Sequence, residues 1–203
     1  MLLEGKGLSF RYDNNPWLFQ KLDVTIESGE VVGLIGPSGC GKTTLGQILA
    51  GHQLPSEGAM TIDGQKPPRS GHHPVQLVFQ HPERAVNPRW RIHRTLMEGG
   101  TPDPELLSAL GIMEDWLQRS PNELSGGELQ RVCIARALGR QTRFLIADEM
   151  TTMLDSITQA QIWQAVLQIA QVRKLGLLVI SHDIQLIQRI CSRWISFNEP
   201  SGT

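Results

Sequence analysis

Gly36-Pro37-Ser38-Gly39-Cys40-Gly41-Lys42-Thr43 satisfies the pattern G-x-x-x-x-G-K-[ST] at every fixed position. Few local patterns constrain a fold as tightly, because this one works only as a sharp turn between a buried strand and the first turn of a helix. Both flanks agree with that context. Glu30-Val31-Val32-Gly33-Leu34-Ile35 is short, apolar and β-branched, as a buried parallel strand is, and Lys42 to Ala50 continues as a helix ending at Gly51. Gly36, Gly39 and Gly41 permit the required backbone angles and leave no Cβ between main-chain N–H groups and a polyphosphate. The helix N-terminus adds partial positive charge. Lys42 then reaches the β- and γ-phosphates, and Thr43 offers a hydroxyl to Mg²⁺, a hard ion that takes oxygen ligands and keeps some of its water.

A chain of 203 residues supports one substantial core and a small inserted subdomain, but not two full domains, so one nucleotide site is expected. A net charge of −1 and an apolar fraction of 40% argue against a nucleic-acid binder and against a disordered chain. Cys40, Cys133 and Cys191 are odd in number and lack metal-ligand spacing, which excludes a disulfide framework or a zinc site and fits a reducing cytosol. No run approaches the roughly 20 apolar residues needed to span a bilayer, and Met1 to Lys6 lacks a signal-peptide pattern. Any membrane role is therefore expected to run through a partner.

Leu8 to Tyr12 and Leu22 to Ile26 read as strands of an antiparallel flap, joined by a turn at Asp13-Asn14-Asn15-Pro16. Further strands are expected at Ala59 to Gly64 and, after the loop Pro67 to Gly71, at Val75 to Phe79. From about Pro82 to Leu138 the chain is proline-punctuated and helical in tendency, which suggests a helical subdomain inserted in the nucleotide core. Strand character returns at Arg143 to Asp148 and at Gly176 to Ser181. Between them Ile162, Val166, Ile169 and Val172 mark one face of a helix, giving a parallel crossover unit. The fold class that follows is α/β: a mostly parallel core sheet with an antiparallel β flap and a helical insertion, all in one domain spanning 1–203.

Phe144 to Ala147 deliver Asp148 and Glu149 to the carboxyl end of a buried strand, where open α/β sheets place their ligands. Asp148 can hold Mg²⁺ through water while Glu149 polarises an attacking water. His182 ends the next strand, where it either hydrogen-bonds a γ-phosphate or is a solvated turn residue; position alone leaves that choice open. Gln80 follows another apolar strand and could ligate Mg²⁺ by its amide oxygen, although a glutamine there is unremarkable by itself. Leu124-Ser125-Gly126-Gly127-Glu128-Leu129-Gln130-Arg131 opens a helix. Ser125 and Glu128 alone would make a capping box, but a capping box does not need two glycines, whereas N–H groups facing an anion do. The chain has one lysine-bearing phosphate loop, so this second cradle is read as serving a nucleotide held by another chain.

With these residues assembled, the chain resembles the ATP-binding subunits of ABC transporters along essentially its whole length. Gly36 to Thr43 matches that family's Walker A loop, Gln80 its Q-loop, Leu124 to Gln130 its LSGGQ-type signature, Phe144 to Glu149 its Walker B strand and catalytic glutamate, Leu154-Asp155 its D-loop end, and His182 its switch histidine. The resemblance implies catalysis by Glu149, His182 and Lys42. It implies nucleotide contacts from Tyr12, which stacks on adenine in the family, from Gly36 to Thr43 with Thr44, and from Gln80, Asp148, Ser125, Gly126 and Gly127. Mg²⁺ would lie at Thr43, Gln80 and Asp148. It also implies that two ATPase subunits pair head to tail, each closing ATP between its phosphate loop and the partner's signature.

Val78 to Arg89 and Leu129 to Leu138 look like the dipeptide, oligopeptide and nickel importer branch, with Ala85-Val86-Asn87-Pro88-Arg89 most similar to nickel-uptake members. That likeness implies a second, different ATPase subunit or a second copy, two transmembrane permease subunits and an extracytoplasmic solute-binding protein, with this chain on the cytoplasmic face of a bacterial inner membrane. The basic run Arg89-Trp90-Arg91-Ile92-His93-Arg94 would meet the membrane subunits or be a solvated helix face. Where the family usually has Pro-Thr-Ser-Ala-Leu-Asp, this chain has Met150-Thr151-Thr152-Met153-Leu154-Asp155, and the sequence ends at Asn198 to Thr203 without the C-terminal extension of many such importers. It reads as a bare motor. A catalytically weak partner subunit is the alternative. A soluble ATPase acting on DNA ends or ribosomes fits less well, because neither a long coiled coil nor a tandem repeat is present.

Overall fold

The computed structural model describes residues 1–13, 15–68 and 71–197. Asn14 of the first expected turn, Arg69 and Ser70 of the later loop, and the closing stretch Asn198 to Thr203 lie outside the described residues.

In chain order the elements are β1 (Leu2–Phe10), β2 (Phe19–Glu27), β3 (Val31–Ile35), α1 (Lys42–Leu49), β4 (Glu57–Ile62), β5 (Val75–Val78), α2 (Ile92–Met97) and α3 (Pro104–Ala109). They continue with α4 (Gly126–Ala137), β6 (Phe144–Asp148), α5 (Ser156–Arg173), β7 (Gly176–Ile180), α6 (Ile184–Ile190) and β8 (Arg193–Ser196). One sheet is parallel, in the order β5-β6-β7-β3-β8; the other is antiparallel, in the order β2-β1-β4. Every residue of β6 and β7 is buried, the signature of strands covered on both faces.

Alternation along those strands builds two cores. Phe144, Ile146, Leu178 and Ile180 face α1 and the antiparallel sheet, packing with Leu45, Ile48, Leu49, Leu3 and Ile26. Leu145, Ala147, Leu177 and Val179 face the other way, toward Val132 and Ala135 of α4 and Ile162 and Val166 of α5. Each such fully buried aliphatic side chain contributes about 1.5–3 kcal/mol, which is what fixes strand register and holds the loops at the strand ends. Between β5 and β6 the described chain is helical or irregular: α2, α3, α4 and three 3₁₀ turns, at Pro82–Arg84, Glu114–Gln118 and Pro121–Glu123. Ile92, Leu96, Leu106, Leu110 and Trp116 of this stretch join the α4–α5 core.

Two expectations are corrected and one strand is added. β1 begins at Leu2 and ends at Phe10, so Tyr12 lies beyond it; Gly5-Lys6-Gly7 breaks the alternation in sequence, but the strand runs on through a register shift between Gly5 and Leu8. Val172 does not share the apolar face of α5 and is 78% exposed, because ten residues beyond Ile162 it lies roughly 80° round the helix. β8, a short edge strand in which Trp194 is 50% exposed, follows the last strand that the pattern revealed. It pairs with β3, and the Arg193 guanidinium donates to Glu30 Oε1 at 2.6 Å and to the Thr25 carbonyl at 2.6 Å, joining the sheet edge to the antiparallel layer.

Candidate functional site

The turn from β3 to α1 is built on its glycines. Gly41 has φ 104°, and a Cβ there would stand 2.9 Å from Leu18 and Phe19, so neither backbone nor space admits a side chain. At Gly39, φ 80°, the space beyond is open. α1 carries no acidic residue in its first turn and its N-cap, Gly41, offers no side-chain cap, which leaves the first N–H groups without a side-chain partner. Lys42 is 8% exposed; its ammonium donates to the carbonyls of Gly36 at 2.8 Å and Pro37 at 2.7 Å and lies 3.9 Å from Cys40 Sγ. The lysine thus holds the loop's own shape while keeping its charge at the loop's mouth.

Asp148 ends β6 beside this lysine at 5% exposure. Burial pushes its carboxyl above the ordinary carboxylate value, and the Glu149 charge adds to the rise, against a hydrogen bond with Thr43 and the field of Lys42. A carboxyl whose pKa rises on folding binds its proton more tightly in the native chain, so fold stability falls as pH climbs from the unfolded value through the raised native one. Asp148→Asn is therefore expected to raise the thermal midpoint of the nucleotide-free, metal-free protein at neutral pH, with the gain vanishing below about pH 4 where Asp148 is protonated in both states. Thermal melts of both proteins across pH check this; a lower midpoint for the variant at neutral pH would contradict it.

Glu149 follows with a left-handed backbone, φ 48°, held by donation of its N–H to the Ile180 carbonyl at 3.0 Å. Strain of this kind costs on the order of 1–3 kcal/mol and persists where the surroundings impose it. Its Oε1 accepts from His182 Nδ1 at 3.2 Å. Because a carboxylate only accepts, the contact assigns the proton to Nδ1 and turns Nε2 outward, on a side chain that is 61% exposed. Tyr12 reaches across from the end of β1, its hydroxyl 3.3 Å from Thr44 Oγ1 and its ring edge-on to Phe10.

Two cavities divide these residues. A cleft of about 350 Å³ is lined by Tyr12, Ser38, Gly39, Gly41, Lys42, Thr43, Thr44, Gln80, Asp148 and Glu149. A larger one, about 810 Å³, is lined by Ser125, Gly126 and Gly127 with Gln80 and the stretch from Met150 to Asp155 except Thr151 and Thr152. The smaller holds the cation, the carboxylates and the free helix N-terminus, so donor chemistry and not size makes it the candidate cleft for a polyphosphate. Gln80 is the one described residue that lines both. Of the residues singled out from the sequence, only Gly36, Pro37, Cys40 and His182 line neither; the first two supply carbonyls to Lys42, Cys40 is buried under the loop, and His182 reaches the cleft through Glu149.

The second cradle has the expected capping box: Glu128 N–H donates to Ser125 Oγ at 3.3 Å, and Ser125 N–H donates to Glu128 Oε2 at 2.7 Å, a bond that holds the Glu128 carboxyl below its ordinary pKa. The glycines have no such internal reason. A Cβ on Gly126 would meet nothing within 4 Å, and one on Gly127 only an ordinary contact with Leu154 at 3.5 Å. Nothing in the chain itself requires them small.

The atypical stretch after Glu149 is anchored at its two ends, while Thr152 and Met153 between them are exposed. Met150 is 2% exposed in the core, Thr151 Oγ1 accepts from the Trp163 indole N–H at 3.1 Å, and Asp155 caps α5 by accepting from Ile157 N–H at 3.1 Å and Thr158 N–H at 3.0 Å. Sequence reasoning missed the Thr151–Trp163 pair, for which no local signal exists, and the Asp155 cap, which the aspartate before a helical run would have revealed.

Comparison with known proteins places these features in company. The family described as "ABC transporter" matches residues 19–152. The nickel import ATP-binding protein NikE of Shigella boydii is 33% identical over 95% of this chain and 82% of its own length, and that of Escherichia coli is 32% identical over the same shares. Among solved structures, the dimeric structure of a bacterial ABC transporter cassette covers 98% of this chain and 97% of its own, with TM-score 0.80 at 24% identity. A post-hydrolysis dimer of an ATP-binding cassette bound to ADP and Pi covers the same shares, with TM-score 0.81 at 25% identity.

Proposed function

Because the chain belongs to the ABC transporter family, as an ATP-binding subunit that hydrolyses ATP, we propose that it is the motor of an importer for nickel, free or chelated, or for short peptides. The observation that carries the motor reading is the separation of the two cavities: the Ser125 to Gly127 cradle does not line the cleft that holds Lys42, Asp148 and Glu149. A cradle with glycines that its own chain does not need, turned away from its own phosphate loop, suits the nucleotide of a second ATPase subunit. The nickel reading is supported by the identity to nickel import ATP-binding proteins.

In this reading the N–H groups at the start of α1 and the Lys42 ammonium bind the β- and γ-phosphates, and Tyr12 stacks on adenine. Thr43 hydroxyl, Gln80 amide and Asp148 carboxylate offer an all-oxygen donor set suited to Mg²⁺, an ion that also keeps water and takes phosphate oxygens. When bound, Mg²⁺ would neutralise charge on the transferring phosphoryl group. Glu149 orients the attacking water and accepts its proton. With Nδ1 engaged by Glu149, His182 presents Nε2 to the γ-phosphate. Closure of two subunits over ATP and release after hydrolysis would drive two permease subunits, with a solute-binding protein delivering cargo. No helix among the described residues is long and apolar enough to cross a membrane, so attachment would run through the permeases on the cytoplasmic face. Residues 82–138 are read as a helical subdomain inserted in the one core. The alternative of a catalytically weak partner has less support, because the Glu149–His182 contact is made beside the atypical stretch.

Proteoliposomes holding the complex co-purified through this chain, loaded with ATP, test the cargo. ATP-driven accumulation of labelled Ni²⁺ but not of a labelled dipeptide is expected. The reverse would move the chain to the peptide importers, and an ATPase that responds to neither cargo would remove the importer reading.

A further inference from the structure

Three side chains on one face of α4, spaced at intervals of three, each donate to a main-chain carbonyl of the segment leaving β5. Gln130 Nε2 donates to Phe79 O at 3.1 Å, Cys133 Sγ to Pro82 O at 3.7 Å, and Arg136 Nη1 to Ala85 O at 2.6 Å. Each rung spans the same 51 residues. The match arises because the carbonyls sit around the 3₁₀ turn Pro82–Arg84, whose period of about three residues runs close to the helical spacing of the donors. The middle rung is weak, since a thiol is a poor donor, but the outer two bracket the whole segment.

Gln130 is the telling member. It is 2% exposed, and its Oε1 is buried without a hydrogen-bond partner. The amide cannot turn over to relieve that atom, because the Phe79 carbonyl only accepts and so fixes the NH₂ on its side. A leucine would fill the same space and remove that unpaired acceptor, but it would leave the Phe79 carbonyl without this donor. The glutamine thus spends its amide donor on Phe79, the residue immediately before Gln80, and keeps its own oxygen unpaired. Gln80 in turn is the residue shared by the phosphate cleft and the cavity lined by Ser125 to Gly127, and those three residues begin the helix that carries Gln130.

We propose that Gln130 is a positioning residue for Gln80: its bond to the Phe79 carbonyl, backed by the Arg136 rung, makes the turn after β5 and α4 one mechanical piece. The side chain at the metal position and the cradle offered to a neighbouring nucleotide then shift together. This rests on the reading of Gln80 as a Mg²⁺ ligand.

The test uses the complex co-purified through this chain and reads three quantities: the Mg²⁺ concentration giving half-maximal ATP hydrolysis, ATP affinity in the presence of a magnesium chelator, and the thermal midpoint. Gln80→Ala should raise the Mg²⁺ requirement. Gln130→Leu should raise it about fivefold, the worth of one buried hydrogen bond, with chelator-measured ATP affinity unchanged. The double variant should be no worse than Gln80→Ala alone, as coupled positions require. Arg136→Leu should shift the requirement in the same direction by less, and with Gln80→Ala it carries the test if Gln130→Leu does not fold. Additive effects, or a Gln130→Leu protein with a lower thermal midpoint and an unchanged Mg²⁺ requirement, overturn the proposal alone. A Gln80→Ala protein with an unchanged Mg²⁺ requirement overturns it together with the metal reading of Gln80.

Discussion

Glu149→Gln is expected to leave ATP binding intact and to slow hydrolysis by the assembled complex by roughly 10²–10⁴, the usual worth of a positioned general base. In the proposed reading the binding groups are separate from the altered one: Lys42 and the start of α1 would hold the phosphates, whereas the Glu149 carboxylate is engaged by His182. The substitution keeps shape and volume, and it leaves unchanged the donation from Glu149 N–H to the Ile180 carbonyl that imposes the left-handed backbone. What it removes is the only acceptor charge at that point, and with it the assignment of the His182 proton to Nδ1. Steady-state turnover beside equilibrium ATP binding measures the split. Turnover within twofold of the wild type would take the general-base role from Glu149, and a parallel loss of ATP affinity would make it a binding residue instead.

The second large effect is expected at Gly126. Gly126→Asp places a carboxylate at the first turn of α4, where the helix itself tolerates or favours it, and where a Cβ meets nothing within 4 Å. The thermal midpoint and the ATP affinity of the isolated chain should therefore stay as they are. Hydrolysis by the assembly should fall by about 10²–10³, comparable to losing one preorganised donor from an anion hole, because a negative charge now faces a terminal phosphate. The contrast between isolated chain and assembly is the point of the measurement. Weaker ATP binding by the isolated chain would place the cradle at its own nucleotide, and undiminished hydrolysis by the assembly would leave the two glycines without a role.

Much of the site was readable because its chemistry is local. The β3 loop and α1 are contiguous, so glycine positions, the lysine and the helix start are all fixed within one short segment. Asp148 and Glu149 could be placed because a fully apolar run must be a buried strand and its end must be near solvent. The Ser125–Glu128 capping box is equally local. Pattern and structure part where the pattern is interrupted or too short: Gly5 and Gly7 hide the first half of β1, the apolar spacing that puts Val172 on one face of α5 drifts off that face, and β8 has only four residues.

Residue order alone determined that this chain has a glycine-rich loop on a parallel sheet, a carboxylate pair at a strand end and a capped, glycine-opened helix start at Ser125, since each depends on neighbours in sequence and on backbone geometry that few residue types permit. Only the tertiary structure decided that the Ser125 to Gly127 stretch opens into a different cavity from the loop, that Gln80 is the one described residue joining the two, and that Gln130 and Arg136 grip the segment beside it. Those relations arise from how the two faces of the central sheet pack against α1, α4 and α5. Such packing brings together groups far apart in the chain, and no periodicity along the sequence records the distance between them.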